Sequence, residues 1–138
     1  MKHTCLVFVV SFLLLFWVSC GTNEYDFMND VSEISAIEIV QLVGYNLDSY
    51  EFIENTLVTI ENHETFIDEF SKLKCKTHYS EPHSLEEGEV VIKVTYNNGE
   101  YELIHAKAQY RCRVKNRGYG YQIFDEEQFN SFLSSAKT

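Results

Sequence analysis

The sequence is poor in proline and glycine, although it is rich in aromatic residues. Only one proline and six glycines occur among 138 residues, beside ten Phe and nine Tyr. Disordered and collagen-like chains have the opposite balance, because they lack the apolar side chains that a packed core needs. The composition therefore excludes those classes and indicates a folded domain.

Positive charge is missing from the first half of the chain. Twelve acidic residues and no Lys or Arg occur between Cys20 and Ser71, whereas ten basic and nine acidic residues follow from Lys72 to Thr138. Nucleic-acid binding depends on a net basic surface that releases counterions. We therefore predict no nucleic-acid partner, and we expect the acidic half to be repelled by anionic lipid headgroups.

Motifs that carry catalysis or bind cofactors are also missing. The sequence contains no nucleophile elbow, phosphate-binding loop, paired-His zinc helix or calcium loop. A hydrolytic cluster can be drawn in the polar segment 79–89, but such a segment is more simply a solvated loop. We expect a non-enzymatic protein without a cofactor. The residues that could form the cluster are Ser80, Glu81, His83, Ser84, Glu86, Glu87 and Glu89.

The first nineteen residues have the layout of a secretory signal. A basic start is followed by an apolar run from Cys5 to Val18, interrupted only by Ser11, and then by the polar stretch from Gly21 to Glu24. The run is shorter than the roughly 20 residues that a membrane-spanning helix needs. Residues 1–19 are therefore predicted to be a cleaved signal peptide.

The end of this leader resembles the lipobox of bacterial lipoproteins. In that family a small residue precedes a Cys, as Ser19 precedes Cys20 here, although Trp17 stands where Leu is usual. The resemblance implies that Cys20 carries a diacylglycerol, that cleavage occurs before it, and that the new amine is often acylated, for example with palmitate. Such chains hold a protein stably at a membrane. The implied location is the cell envelope, either at the cell surface or on the periplasmic side.

The remainder of the chain is predicted to form an acidic tether and one domain. We assign residues 20–32 to the tether, because most of them are polar or acidic, and residues 33–138 to the domain. Helices are expected over 63–73, capped by Asn62, and after Asp125, where Gln128 completes a capping box. Strands are expected over 36–43, 55–60, 74–78, 90–96, 100–106, 109–114 and 119–124.

The order of these elements predicts an α+β fold. Asn98-Gly99 favours a tight hairpin between two strands, and residues 115–118 mark a second hairpin. Residues 44–54 look like a long connection. We therefore expect an antiparallel sheet of five to seven strands, with two helices packed on one face.

Two cysteines, Cys75 and Cys112, remain in the predicted domain. Export permits a disulfide between them, and two buried free thiols are the alternative. A structural zinc site is a less favoured interpretation, because the spacing is loose and no CxxC pair exists. Its ligands would be Cys75, His78 and His83, with His105 or Cys112.

The strongest candidate for a binding surface is a row of basic residues with the same parity, beside two tyrosines. Side chains alternate across a strand, so these bases should share one face. They would suit an anionic protein, a cell-envelope component or a carboxylated ligand. They could equally keep an exposed strand soluble or pair with the acidic half. The candidate residues are Lys107, Arg111, Arg113, Lys115, Arg117, Tyr119 and Tyr121.

Taken together, these features favour a lipid-anchored, non-enzymatic binding or structural module. The alternative is an inhibitor or immunity-type lipoprotein that blocks one protein partner, with 79–89 as its protruding loop. An exposed patch of bases and tyrosines would favour the first function. A protruding loop would favour the second.

The lipid anchor predicts the behaviour of a Cys20→Ala variant. Without the thiol that accepts the diacylglycerol, the protein should carry no lipid, and carbonate washing should release it from membranes. The two forms are compared by immunoblotting of the washed membrane fraction. A variant that stays in the pellet as fully as the wild type would rule out the anchor at Cys20.

Overall fold

A computed structural model describes residues 23–78, 83–112 and 121–138. These residues form seven strands, two helices and a short 3-10 turn at Val31–Glu33. The strands are β1 (Ile34–Asn46), β2 (Glu51–Ile60), β3 (Cys75–His78), β4 (Val90–Tyr96), β5 (Tyr101–Ile104), β6 (Gln109–Arg111) and β7 (Tyr121–Phe124), and the helices are α1 (His63–Ser71) and α2 (Glu126–Ala136).

The strands form two antiparallel sheets, which confirms the α+β prediction. Five strands are arranged in the order β2-β1-β4-β5-β6, and β3 pairs with β7 in a second sheet. The turn between β4 and β5 is the predicted hairpin, in which Gly99 has a φ of 82° that few other residues adopt.

The prediction of a second hairpin, between 109–114 and 119–124, is wrong. β6 pairs with β5, and β7 pairs with β3. The Gln109 side chain still links β6 to β7, since its amide donates to the Gln122 carbonyl at 2.6 Å and accepts from the Gln122 amide at 2.8 Å. The expected turn at 115–118 lies outside the described residues.

Both helices begin where the capping residues predict. The Asn62 side chain accepts from the Thr65 amide at 3.0 Å, and Asp125 accepts from Gln128 at 2.9 Å. The rings of Phe124 and Phe129 lie 5.2 Å apart, across the start of α2, as a hydrophobic staple requires. These local bonds fix the point at which the chain turns back over the sheet.

The five-stranded sheet buries side chains on both faces. On the helix face, strand residues such as Ile39 and Ile92 pack against Phe70 of α1 and Phe129 of α2, all of them fully buried. On the opposite face a smaller cluster is covered by Leu85 and by aromatic rings. Its buried members are Val40, Leu42, Val91 and Leu103.

The described part of the predicted tether, residues 23–32, belongs to the folded domain. Tyr25 and Met28 are only 6% and 2% exposed, and both lie in the core on the helix face. Asn23 exchanges two main-chain hydrogen bonds with Cys75, at 2.8 and 2.9 Å. The tether prediction is wrong for these residues, because a few large apolar side chains outweigh the acids around them.

The segment 44–54, expected to be a long connection, is instead the distal part of a hairpin. β1 runs to Asn46 and β2 starts at Glu51, so that residues 47–50 alone form the turn. The pairing slips by one residue at Val43, and a bulge of this kind bends a strand and increases its twist. We call residues 42–57, the distal part of this pair of strands, the hairpin arm.

Candidate functional site

A buried carboxylate on β5, that of Glu102, is the centre of a polar cluster. The residue is 0% exposed. One of its oxygens accepts from the Tyr96 hydroxyl at 2.8 Å and from the Met28 amide at 3.2 Å. The other oxygen accepts from the Tyr25 hydroxyl and from Arg111 Nε, each at 3.1 Å. These four donors make burial of the charge tolerable.

Arg111 completes this cluster from the neighbouring strand β6. It is the register partner of Glu102, so both side chains project from the same face of the sheet. Its Nη2 also donates to the Tyr25 hydroxyl and to the Asp26 carbonyl. The side chain is 19% exposed. Arg111 is therefore an internal partner of Glu102 and does not belong to an exposed basic row.

The pKa shifts of the groups around Glu102 agree with neutral tyrosines that donate to its carboxylate. Burial, and then the Glu102 charge, raises the pKa of Tyr25 well above its usual value, and the same two causes raise the pKa of Tyr96. Burial alone would lower the pKa of Arg111, but Tyr25 and Glu102 outweigh it and the pKa is raised. The tyrosines therefore remain protonated donors at neutral pH. All the groups are mutually satisfied, so the cluster is suited to holding structure together.

Among the described residues, Lys107 and Tyr121 do not form a row with Arg111. Lys107 lies in the turn after β5, about half exposed, and binds Glu126 of α2 at 2.8 Å. Tyr121 lies in β7 opposite His78, with ring centroids 6.0 Å apart. Arg113, Lys115, Arg117 and Tyr119 lie outside the described residues.

The predicted disulfide is absent, and the alternative of two buried thiols is correct. Cys75 and Cys112 are both free, because β3 belongs to the small sheet whereas Cys112 directly follows β6 of the large one. The Cys75 thiol accepts from the Gln122 amide at 3.3 Å, and burial raises its pKa to about 11. The sulfur of Cys112 accepts from the Tyr101 amide at 2.9 Å.

His83 and His105 meet at a carboxylate on the surface. Glu89 Oε1 lies 3.0 Å from His83 Nε2 and 3.8 Å from His105 Nε2, and the two rings are stacked at 5.9 Å. Within the three described ranges, no set of three or more His, Cys, Asp or Glu side chains could hold a metal ion. The side chains that the sequence suggests as zinc ligands are therefore not brought together.

The hydrolytic cluster is not assembled either, as far as the described residues reach. Glu89 is already engaged by the His83 ring and by the Glu86 amide, the latter at 2.8 Å. Ser84 is exposed, as are Glu86 and Glu87. Ser80 and Glu81 lie outside the described residues.

Among the described residues, most of the exposed large apolar side chains lie on the hairpin arm, a segment that the sequence analysis did not identify as a candidate site. Six of the seven exposed large apolar side chains of the described residues belong to the arm. Leu47 is 76% exposed and Tyr50 is 70% exposed. The other four are Val43, Tyr45, Ile53 and Leu57.

Aromatic contacts hold this arm in a fixed position. The rings of Tyr45 and Phe52 lie 5.1 Å apart, and Phe52 meets Tyr110 of β6 at 5.3 Å. The Tyr110 hydroxyl donates to the Tyr50 carbonyl at 3.2 Å. Thus the bent arm crosses the sheet face away from the helices and reaches the opposite edge strand.

The tip of the arm carries local backbone strain. Tyr50 has a φ of 57°, the only positive φ of a non-glycine residue among those described. A bulky side chain in this region is uncommon, and strain of this kind is concentrated at functional segments. The turn therefore directs an aromatic ring into solvent at an energetic cost.

The comparisons with other proteins identify no relative. No protein-family model, curated protein or solved structure matches this chain. Among the helices of the described residues, none has the length and apolarity needed to cross a bilayer.

Arg111→Met should destabilise the fold strongly. The substitution leaves the Glu102 charge buried without its cation, a change that typically lowers the free energy of unfolding by about 3–5 kcal/mol. Lys107→Met removes a surface pair instead and should leave the midpoint of chemical denaturation nearly unchanged. Equal effects of the two variants would contradict the assignment of Arg111 to the interior.

His105 should make stability depend on pH. Burial, assisted by His83 and Lys107, lowers the pKa of His105 below its usual value despite Glu89 and Glu126. The unfolded chain then takes up a proton first as the pH falls, so the free energy of unfolding should decrease below about pH 6.5. His105→Gln should flatten this decrease in urea denaturation between pH 7.5 and 5.5. His78→Gln, at an exposed position, serves as the control and should retain it.

Proposed function

We propose that this protein is an exported, lipid-anchored lipoprotein whose domain binds one protein partner without catalysis. The observation that carries the proposal is the exposed apolar surface of the hairpin arm. Monomeric proteins rarely present apolar patches of this kind unless a partner covers them. Exposed Leu47 and Tyr50 stand at its tip, and exposed aromatic side chains are frequent anchors of protein interfaces.

The folded N-terminal segment supports a position close to the membrane. Lipid on Cys20 would be three residues from Asn23, which is bonded to Cys75 of β3. Three extended residues span roughly 10 Å. β3 would therefore lie next to the lipid surface, and residues 20–32 could not act as a tether that holds the domain away from it. A partner would accordingly reside at the same face of the envelope.

The geometry favours this binding module over an inhibitor that acts through segment 79–89. The described part of that segment is bonded to β1, since the Gly88 amide donates to the Leu42 carbonyl at 2.7 Å and the Leu42 amide donates to the Glu89 carbonyl at 2.9 Å. Residues 79–82 lie outside the described residues. Among the described residues of the two segments, the exposed large apolar side chains all lie on the hairpin arm, and a partner should meet them first.

Photocrosslinking in intact cells tests the proposal. A photoreactive residue at position 47 should form a covalent product of one defined mass, whereas the same residue at Glu127, exposed on α2, should not. The product is identified by mass spectrometry and the purified partner is tested for binding. Affinity should fall about tenfold or more for Leu47→Ser/Tyr50→Ser, as expected when interface anchors are removed. Equal crosslinking from both positions would refute the assigned surface.

A further inference from the structure

The outer edge of β2 is an open sheet edge of unusual length. β2 has ten residues, lies at the end of the five-stranded sheet and pairs on one side only, with β1. The opposite edge strand, β6, has three residues. Among the described residues no strand pairs with the outer side of β2. Its outward N–H and C=O groups therefore form a template for another strand.

This edge lacks two of the devices that normally block such pairing. Proteins protect long edges with Lys, Pro, β-bulges or a covering element. β2 contains neither Lys nor Pro, although a bulge at Leu57 interrupts its pairing with β1. It presents apolar side chains instead: Ile53 is 50% exposed and Leu57 is 40% exposed. An edge that is both long and apolar is suited to β-augmentation, in which a partner contributes one more strand.

A pocket beside the same edge could receive a side chain of the added strand. It has a volume of about 410 Å³ and lies between the end of β2 and the two helices. Val58 and Ile60 line it from the strand, and Phe66 and Phe132 line it from α1 and α2. In β-augmentation the main chain supplies affinity, and pockets of this kind supply specificity.

The charge around the edge indicates the chemistry of the partner. Glu51 and Glu61 are exposed at the two ends of β2, and Asp48 is exposed in the turn. No Lys or Arg is present between Cys20 and Ser71. A second copy of the chain would bring the same acidic charges to the interface, and anionic lipid would be repelled. A basic strand is the complementary ligand.

We propose that β2 accepts a strand from a basic protein partner, in which Lys or Arg alternates with apolar residues. The strand extends the five-stranded sheet, its basic residues meet Glu51 and Glu61, and an apolar side chain enters the pocket at Phe66. This inference deepens the proposed function and depends on it, because it gives the chemistry and the docking mode of the same partner.

The probe is a synthetic ten-residue peptide of alternating Lys and Val, labelled with a fluorophore. Binding to the membrane-extracted, full-length protein is measured by fluorescence anisotropy. The Lys–Val peptide should bind. Two control peptides should bind at least about tenfold more weakly. A peptide of alternating Glu and Val loses the charge complementarity. A Lys–Val peptide that is N-methylated at every second residue loses main-chain hydrogen bonds.

Matched variants locate the contact. Ile53→Lys/Leu57→Lys places cations on the edge and should weaken binding of the Lys–Val peptide about tenfold. Val31→Lys places a single cation at an exposed apolar position before β1 and should leave binding unchanged. Thermal unfolding of each variant confirms that it is folded, and sedimentation velocity reports self-association.

The outcomes separate this inference from the proposed function. Equal binding of the N-methylated peptide, or no binding of the Lys–Val peptide, overturns strand addition. Self-association abolished by Ile53→Lys/Leu57→Lys also overturns it, in favour of a second copy. In those cases a specific crosslink from position 47 would still uphold a protein-binding function. Absence of that crosslink would instead refute the proposed function.

Discussion

The buried ion pair of Glu102 and Arg111 is the constraint on which the arrangement of this domain depends. A carboxylate with 0% exposure is stable only if donors surround it. Here the donors come from β6, from β4 through Tyr96, and from the N-terminal segment through Tyr25 and the Met28 amide. The charge therefore joins the N-terminal segment, more than seventy residues away in sequence, to three neighbouring strands of the sheet.

In the proposed function, anchoring at the membrane and binding of a partner depend on different sets of contacts. The N-terminal segment is held by Glu102 and by the bonds between Asn23 and Cys75, so that a lipid on Cys20 would bring the domain to the membrane. The hairpin arm is held by ring contacts through Phe52 and Tyr110 and leaves its apolar side chains in solvent. The first set of contacts would therefore fix the position of the domain at the membrane, and the second set presents the apolar side chains of the hairpin arm.

Local features of the fold could be predicted from the sequence. The helix starts at Asn62 and Asp125 and the turn at Gly99 depend on side chains within a few residues, and all three are confirmed. The pairing of β7 could not be predicted, because β3 lies more than forty residues earlier. A hydrophobic pattern identifies a strand but does not indicate which other strand it pairs with.

Prediction of the candidate site from the sequence has the same limit. Alternation placed Arg111 and Tyr110 on opposite faces of their strand, and the structure agrees: Arg111 meets Glu102, whereas Tyr110 packs with Phe52 on the other face. Alternation does not say which face is covered, so the sequence leaves Arg111 open between a binding surface, an exposed strand and a pair with acidic residues. The charged composition of 20–32 is equally misleading, because Tyr25 and Met28 pack in a core, and bond to a carboxylate, whose residues lie far away in the sequence.

Hydrogen exchange measured by mass spectrometry tests the central claim most directly. The claim is that Glu102 binds the N-terminal segment into the domain while the hairpin arm remains uncovered. Peptides covering residues 23–30 should exchange as slowly as those of β4, and residues 46–51 at the tip should exchange quickly. Exchange of 23–30 at the rate of the tip would show that the segment is a free tether and would contradict the account.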